Sequence, residues 1–157
     1  MQERMQNHQL TQEEIECLLN AAQTGVLSTL DPDGAPYAIP VHFAVADGAL
    51  YFHCRTKGRK TDNLIADPRV CFTVYDMRGL ILPDQPRPCG VNTEYQSVVI
   101  RGRAALVEDA GEKLAALNAI VAKYTPQFAG KELPQTAVDA TAVVKITPTQ
   151  TTGKFYK

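Results

Sequence analysis

Leu50-Tyr-Phe-His-Cys-Arg-Thr-Lys-Gly-Arg-Lys-Thr-Asp-Asn-Leu64 is an apolar strand that ends in a histidine and runs into a basic loop at the start of a helix. The block around it, Gly25 to Tyr75, reads strand, turn, strand, turn, strand, basic loop with helix, strand. Val26 to Leu30 is the first strand, and Asp31-Pro-Asp-Gly34 has turn chemistry. Ala35 to Val45 is the second, where Pro36 and Pro40 mark a sheet edge or an irregular stretch. Asp47-Gly48 is a two-residue hairpin signal, and Ala49 to Cys54 is the third strand.

Working outward, Thr11 with Glu14 forms a capping-box signal. Ile15, Leu18, Leu19 and Ala22 follow at helical spacing, which predicts a helix over residues 12–23 ended by Gly25. Lys60 to Ala66 is a short helix closed by Pro68, and Arg69 to Met77 is a fourth strand with Val70, Phe72 and Val74 on one face. Residues 78–93 hold Pro83, Pro86 and Pro88 with two glycines and read as a long loop. Glu94 to Val107 is a long strand in which Gly102 signals a bend or bulge. Asp109 and Glu112 open a helix carrying Leu114, Leu117, Val121 and Tyr124, and Pro126 to Pro134 is a loop. Thr141 to Thr147 is a sixth strand, with a short last one at Thr152 to Tyr156. Strands near hairpin spacing with helices at the margins argue for an antiparallel barrel and against a doubly wound sheet.

The 157 residues suit a single domain over 1–157, with residues 1–10 expected to be flexible. The apolar fraction of 45% and charged fraction of 21% are globular averages. A net charge of −1 gives no global field toward nucleic acid or membrane, so any anion site must be local. Met1 to His8 is polar and lacks a signal-peptide core, and no apolar run is long enough to span a bilayer. The expectation is a cytoplasmic protein with Cys17, Cys54, Cys71 and Cys89 as free thiols. Cys17, Cys54 and Cys71 fall in apolar patterns, so packing is their first reading.

The chemistry concentrates at Lys57-Gly58-Arg59-Lys60. Cations beside the free amides of a helix start form an anion site, and Gly58 permits close backbone approach. The alternative is a solvated basic turn. A triphosphate loop is excluded, because position 53 is His where that motif needs Gly. His53 shares strand parity with Tyr51 and Arg55, opposite Leu50, Phe52 and Cys54, and is a candidate catalytic residue. His42, between Val41 and Phe43, is a weaker one. His42, His53, Cys54 and Cys89 lack zinc-ligand spacing. Arg101 and Arg103 share a strand face, either solvated or in a dimer contact.

Three stretches carry a family resemblance: Gly25 to Val41; Leu50 to Cys54 with Gly58-Arg-Lys60 and Asn63-Leu64; and Cys89 with Tyr95-Gln-Ser-Val-Val-Ile-Arg-Gly-Arg103, Val107-Glu-Asp109 and Glu112-Lys113. In their order and spacing the chain resembles the pyridoxamine 5'-phosphate oxidase-like flavin-binding split barrels, and most of all the nitroimidazole-resistance type. The resemblance implies a six-stranded antiparallel split barrel that forms a homodimer with FMN in the seam. It implies that Lys57, Gly58, Arg59 and Lys60 meet the FMN phosphate, and that Ile39, Pro40, Val41 and His42 run past the flavin ring. Phe52, His53, Asn63 and Ser97 complete the implied cofactor site. The arginine that the pyridoxamine phosphate oxidases carry on the second strand has no counterpart in Tyr37-Ala-Ile-Pro-Val-His42.

Three functions follow as alternatives. The first is a small FMN-dependent reductase passing electrons from a nicotinamide donor to a small acceptor such as a nitroaromatic. The second is a non-catalytic FMN-binding protein. The third is a haem-binding or haem-degrading barrel with His42 or His53 as axial ligand. Deazaflavin is a further cofactor used by related barrels.

Overall fold

The computed structural model describes residues 6–84 and 87–157. Seven strands form one antiparallel sheet: β1 (Gly25–Leu30), β2 (Pro36–Val41), β3 (Ala44–Ala46), β4 (Ala49–Arg55), β5 (Arg69–Ile81), β6 (Asn92–Leu106) and β7 (Thr141–Tyr156). Their order is β2-β1-β5-β6-β7-β4-β3. Among the described residues four α-helices flank them: α1 (Gln12–Ala21), α2 (Arg59–Ala66), α3 (Ala110–Tyr124) and α4 (Gln135–Ala140). Among the described residues no helix is long and apolar enough to cross a membrane.

The two end members of the sheet, β2 and β3, are consecutive in the chain and are joined only by His42 and Phe43. At about 3.8 Å per Cα step, Val41 and Ala44 lie within roughly 11 Å of each other. A sheet whose outermost strands are tied this closely must curl until its ends meet. The expected single strand from Ala35 to Val45 is therefore two. Val41 pairs with Gly25 of β1, whereas Ala44 pairs with Tyr51 of β4. The apolar alternation continues through the corner, so nothing in the sequence marks the break.

Inside the curl lie Leu27, Phe43, Phe52, Phe72 and Val144, each 0% exposed. Phe43 and Phe72 meet edge to face with ring centroids 4.9 Å apart. α1 adds Ile15, Leu18 and Leu19 to the same core. Its predicted capping box is present: the Glu14 N–H donates to Thr11 Oγ1 at 3.2 Å, and the Thr11 N–H donates to Glu14 Oε2 at 2.8 Å. α3 covers the outer face of β4, where Tyr51, Ala116 and Val143 form a second apolar cluster. The β3–β4 turn places Asp47 at φ 49° and Gly48 at φ 74°, the two positive angles that a two-residue hairpin of this type needs.

Several boundaries differ from expectation. β5 and β6 extend into the predicted 78–93 loop as the arms of one long hairpin, with a register shift at Arg78. β7 runs unbroken through Pro148, because a register shift between Arg101 and Gly102 leaves Thr149 unpaired and accommodates the missing N–H. α4 was not expected. Residues 8–10 are tied down, not flexible: Gln9 bridges to Lys154, the Leu10 N–H reaches the Gly153 carbonyl, and Leu10 is buried. The part of that flexible expectation over residues 1–5 lies outside the described residues. The four cysteines are free, but Cys17 faces solvent because its helical position opposes Ile15 and Leu19.

Candidate functional site

Strand alternation on β4 sends Leu50 and Phe52 into the barrel and leaves His53 exposed on the outside. Beyond it the chain turns at Gly58, whose φ of 140° is open to glycine and strained for other residues. A Cβ there would meet nothing within 4 Å, so the space above this backbone is open. The first intrahelical bond of α2 runs from the Asp62 N–H to the Gly58 carbonyl at 2.9 Å. The amides of Arg59, Lys60 and Thr61 thus have no helical acceptor, and no side chain caps this end. They form the positive pole of the helix.

Lys60 stands beside this pole with its Nζ 5.2 Å from the Phe52 ring centroid. Among the described residues it forms no ion pair. Lys60 of α2 and His42 of the β2–β3 corner both lie near enough to His53 of β4 to disfavour its protonation. Although its edge is exposed, partial desolvation by its neighbours, then His42 and Lys60, push the His53 pKa below its ordinary value and favour the neutral imidazole. Burial raises the Cys54 thiol, against a smaller opposing effect of Lys60. His42 stacks on Tyr124 with ring centroids 4.7 Å apart and planes 23° apart.

Arg59 points elsewhere. Its guanidinium forms a two-pronged pair with Asp31, including a 2.9 Å bond from Nε to Oδ1, and lies 4.2 Å above the Tyr37 ring. Asn63, 1% exposed, donates from Nδ2 to Asp31 Oδ1 at 2.8 Å and to Thr29 Oγ1 at 3.0 Å. Arg59 first, then Asn63, hold the Asp31 carboxyl down at about 2. A cavity of about 490 Å³ on this side is lined by Asp31, Asp33 and Asp62 as well as Arg59. Carboxylates would repel a phosphate there. Of the two basic residues at the start of α2, Arg59 is ion-paired and joins Asn63 in fastening the β1–β2 turn to α2, while Lys60 has no carboxylate partner among the described residues.

The other sequence-predicted residues divide. Ile39, Pro40 and Val41 occupy β2 just before the His42 corner. Phe52 is wholly buried and forms a floor beneath Lys60, and Lys57 is exposed in the loop. Ser97 is not in this cluster. It pairs with Lys154 of β7, whereas His53 pairs with Val143, and the β7 path between them is roughly 35 Å at about 3.3 Å per residue. Ser97 instead lines a separate cavity of about 340 Å³ with Leu10, Val99 and Lys154. Among the described residues no group of three or more His, Cys, Asp or Glu side chains could hold a metal.

Two residues that matter here carried no sequence signal beyond helical register. The Tyr124 hydroxyl accepts the Phe43 N–H at 2.8 Å and lies within donating distance of the Gln23 and Phe43 carbonyls at 2.8 and 2.9 Å. Lys123 donates to the Leu19 carbonyl at 3.0 Å with its ammonium 4.0 Å from the Phe43 ring centroid. Together they clamp the corner that carries His42.

Residues 11–155 match the model of the family described as pyridoxamine 5'-phosphate oxidase. Among solved structures, a candidate 5-nitroimidazole antibiotic resistance protein from Bacteroides thetaiotaomicron shares 28% identity and a TM-score of 0.78, over 93% of this chain and 85% of that one. An F420 reductase shares 26% identity and a TM-score of 0.59, over 87% of this chain and 94% of that one. An FAD and heme binding protein from Mycobacterium smegmatis has a TM-score of 0.85 over 96% of this chain and 74% of that one; at 17% identity it speaks for the fold alone. No curated protein matches the chain. A curled antiparallel sheet, matched by the family model over residues 11–155, makes this chain a split barrel of the pyridoxamine 5'-phosphate oxidase family.

Proposed function

We propose that the chain is an FMN-dependent reductase of the nitroimidazole-resistance type, acting on a small acceptor such as a nitroaromatic, with its site completed by a second copy. The observation that carries this reading is the unpaired Lys60 over the uncapped start of α2, beside His53 and His42. The residues fit the cofactor's phosphate: a flexible ammonium, three free amides and a glycine that clears the approach. The flavin, when bound, would carry electrons from a donor such as a reduced nicotinamide to the acceptor. Backbone groups of Pro40 to His42 would flank the ring. His53, neutral at working pH, would donate or accept one hydrogen bond at flavin or acceptor, and a phosphate near Lys60 would raise its pKa toward the ordinary value.

The exposed face of β5 is where the second copy would dock. Tyr75, Met77, Leu80 and Leu82 on and just beyond β5 are 53–70% exposed, unusual for side chains of their size. Ser97 lies directly across from Tyr75 on the same face. Packing this face against another chain's His42–His53–Lys60 cluster would unite the implied site residues that one chain holds apart.

The purified protein should show the paired near-ultraviolet and blue bands of flavin; a Soret band alone would refute the cofactor assignment. Light scattering at micromolar concentration should give a dimer mass. Lys60→Ala should lose tenfold to hundredfold in FMN affinity, since a charge-assisted bond contributes about 1.5–3 kcal/mol. Riboflavin, which lacks the phosphate, should bind parent and variant alike. Parental FMN affinity in Lys60→Ala would move the phosphate elsewhere. His53→Gln should alter flavin absorbance or slow reoxidation with little change in thermal midpoint; a large stability loss with unchanged flavin behaviour would make His53 a structural residue.

A further inference from the structure

We propose that the outer face of β1, β5 and β6 carries a second anion site, built from Arg69, Arg101 and Arg103, for a small organic acid bearing a carboxylate or phosphate on an apolar body. Arg101 and Arg103 are two residues apart on β6 and so share a face. Arg69 of β5 sits directly opposite Arg103 in the register. Like charges directly across a strand pair destabilise a sheet, so the fold maintains this arrangement at a cost. Asp67 is paired with Arg69, its pKa lowered to about 2 chiefly by that residue with a smaller contribution from Arg103. Among the described residues neither Arg101 nor Arg103 forms an ion pair.

These arginines border a cavity of about 480 Å³, within the range of small-molecule sites. Leu30 and Pro36 supply apolar walls, and Ser28 and Thr149 supply hydroxyls. Thr149 is the unpaired residue of the β6–β7 register shift, which turns it toward this space, and its Oγ1 donates to the Arg101 carbonyl at 3.1 Å. Arg101 also borders a second hollow of about 250 Å³ with Val99, Gln150 and Thr152. Planar guanidinium forks match carboxylate and phosphate oxygens two at a time, and the apolar walls select against a bare inorganic ion. None of these residues belongs to the His53–Lys60 cluster of the same chain; they continue the outward face of β5 and β6 that carries Tyr75 and Ser97, so competition with FMN and the mass of the assembly are what separate this site from the seam proposed above.

Calorimetric titration of the full chain with phenyl phosphate and with benzoate tests this, with inorganic phosphate and phenol as controls. Phenyl phosphate, benzoate or both should bind at submillimolar concentration, each control more weakly. The double variant Arg101→Gln/Arg103→Gln should lose at least tenfold in affinity, whereas Lys60→Ala should keep it. Without probe, the double variant should melt at or above the parental temperature, because the Arg69–Arg103 opposition is relieved. Parental affinity in the double variant, or no parental binding at millimolar probe, overturns the proposal. So does competition of the probe with FMN, which would place it at the flavin site. A changed mass of the assembly with unchanged probe affinity would make the arginines an inter-copy contact and overturn it as well.

Discussion

Replacing Tyr124 by Phe removes one oxygen atom and tests whether the β2–β3 corner is held by a single hydroxyl. That oxygen accepts the Phe43 N–H at 2.8 Å and lies within donating distance of the Gln23 and Phe43 carbonyls. Phe43 is 0% exposed, so its orphaned N–H has no ready access to water. Gln23 is exposed, and its carbonyl can turn to solvent. The loss is therefore about one hydrogen bond plus an unsatisfied buried donor, about 2–3 kcal/mol in all. For a chain of this size that is a fall in melting temperature of roughly 4–12 °C. Urea unfolding at fixed protein concentration, read as a shift in midpoint at constant slope, measures it directly. His42 keeps its aromatic stacking partner in the variant, so any change at the proposed flavin site should come from displacement of the corner and not from loss of the ring. A cost below about 0.5 kcal/mol would mean that the corner is fixed by packing alone, and the argument for Tyr124 would fail.

Lys123 should make stability depend on alkaline pH. Burial lowers its pKa to about 8, below the unfolded value, so between about pH 8 and 10.5 the native state binds fewer protons than the unfolded chain. Its contribution to stability therefore rises with pH across that window, and the rise should vanish in Lys123→Met; urea midpoints at pH 7.5 and 10 for both proteins check this, and parallel profiles would refute it. Gly102→Ala should cost about 1–3 kcal/mol or more, because a Cβ would lie 2.5 Å from the Thr147 carbonyl oxygen and backbone cannot give way there. Gly79→Ala, with nothing within 4 Å of the added carbon, is the matched control and should change the thermal midpoint little.

What the sequence revealed was local. The Thr11–Glu14 box, the Asp47-Gly48 hairpin and the uncapped start of α2 each depend on residues within a few positions, and each is present in the fold. The bulge signalled by Gly102 is also there, although the unpaired residue lies on β7 and not on β6. What it hid was long-range. The charge balance of Arg59 is decided by Asp31, 28 residues away, and no pattern in the basic loop announces that partner. The break at His42 and Phe43 depends on which strand each half pairs with, which alternation does not encode. Tyr124 looked like one more apolar helix position because a register cannot show where a hydroxyl points. Ser97 and His53 belong to one site only by the family resemblance, and the barrel holds them apart within a single chain.

The two-residue link between β2 and β3 also bears on aggregation. An open sheet offers a row of unpaired N–H and C=O groups at each margin, a template on which another chain can add a strand. Here one margin is β2, where Pro36 and Pro40 cannot donate, and the other is β3, only 3 residues long. The link folds these two blunt margins toward each other at the corner. Strand addition, the commonest accidental route to fibrils, is denied a long straight seam on either side. Association between copies of this chain is thereby steered to the faces of its strands, where side chains and not backbone choose the partner.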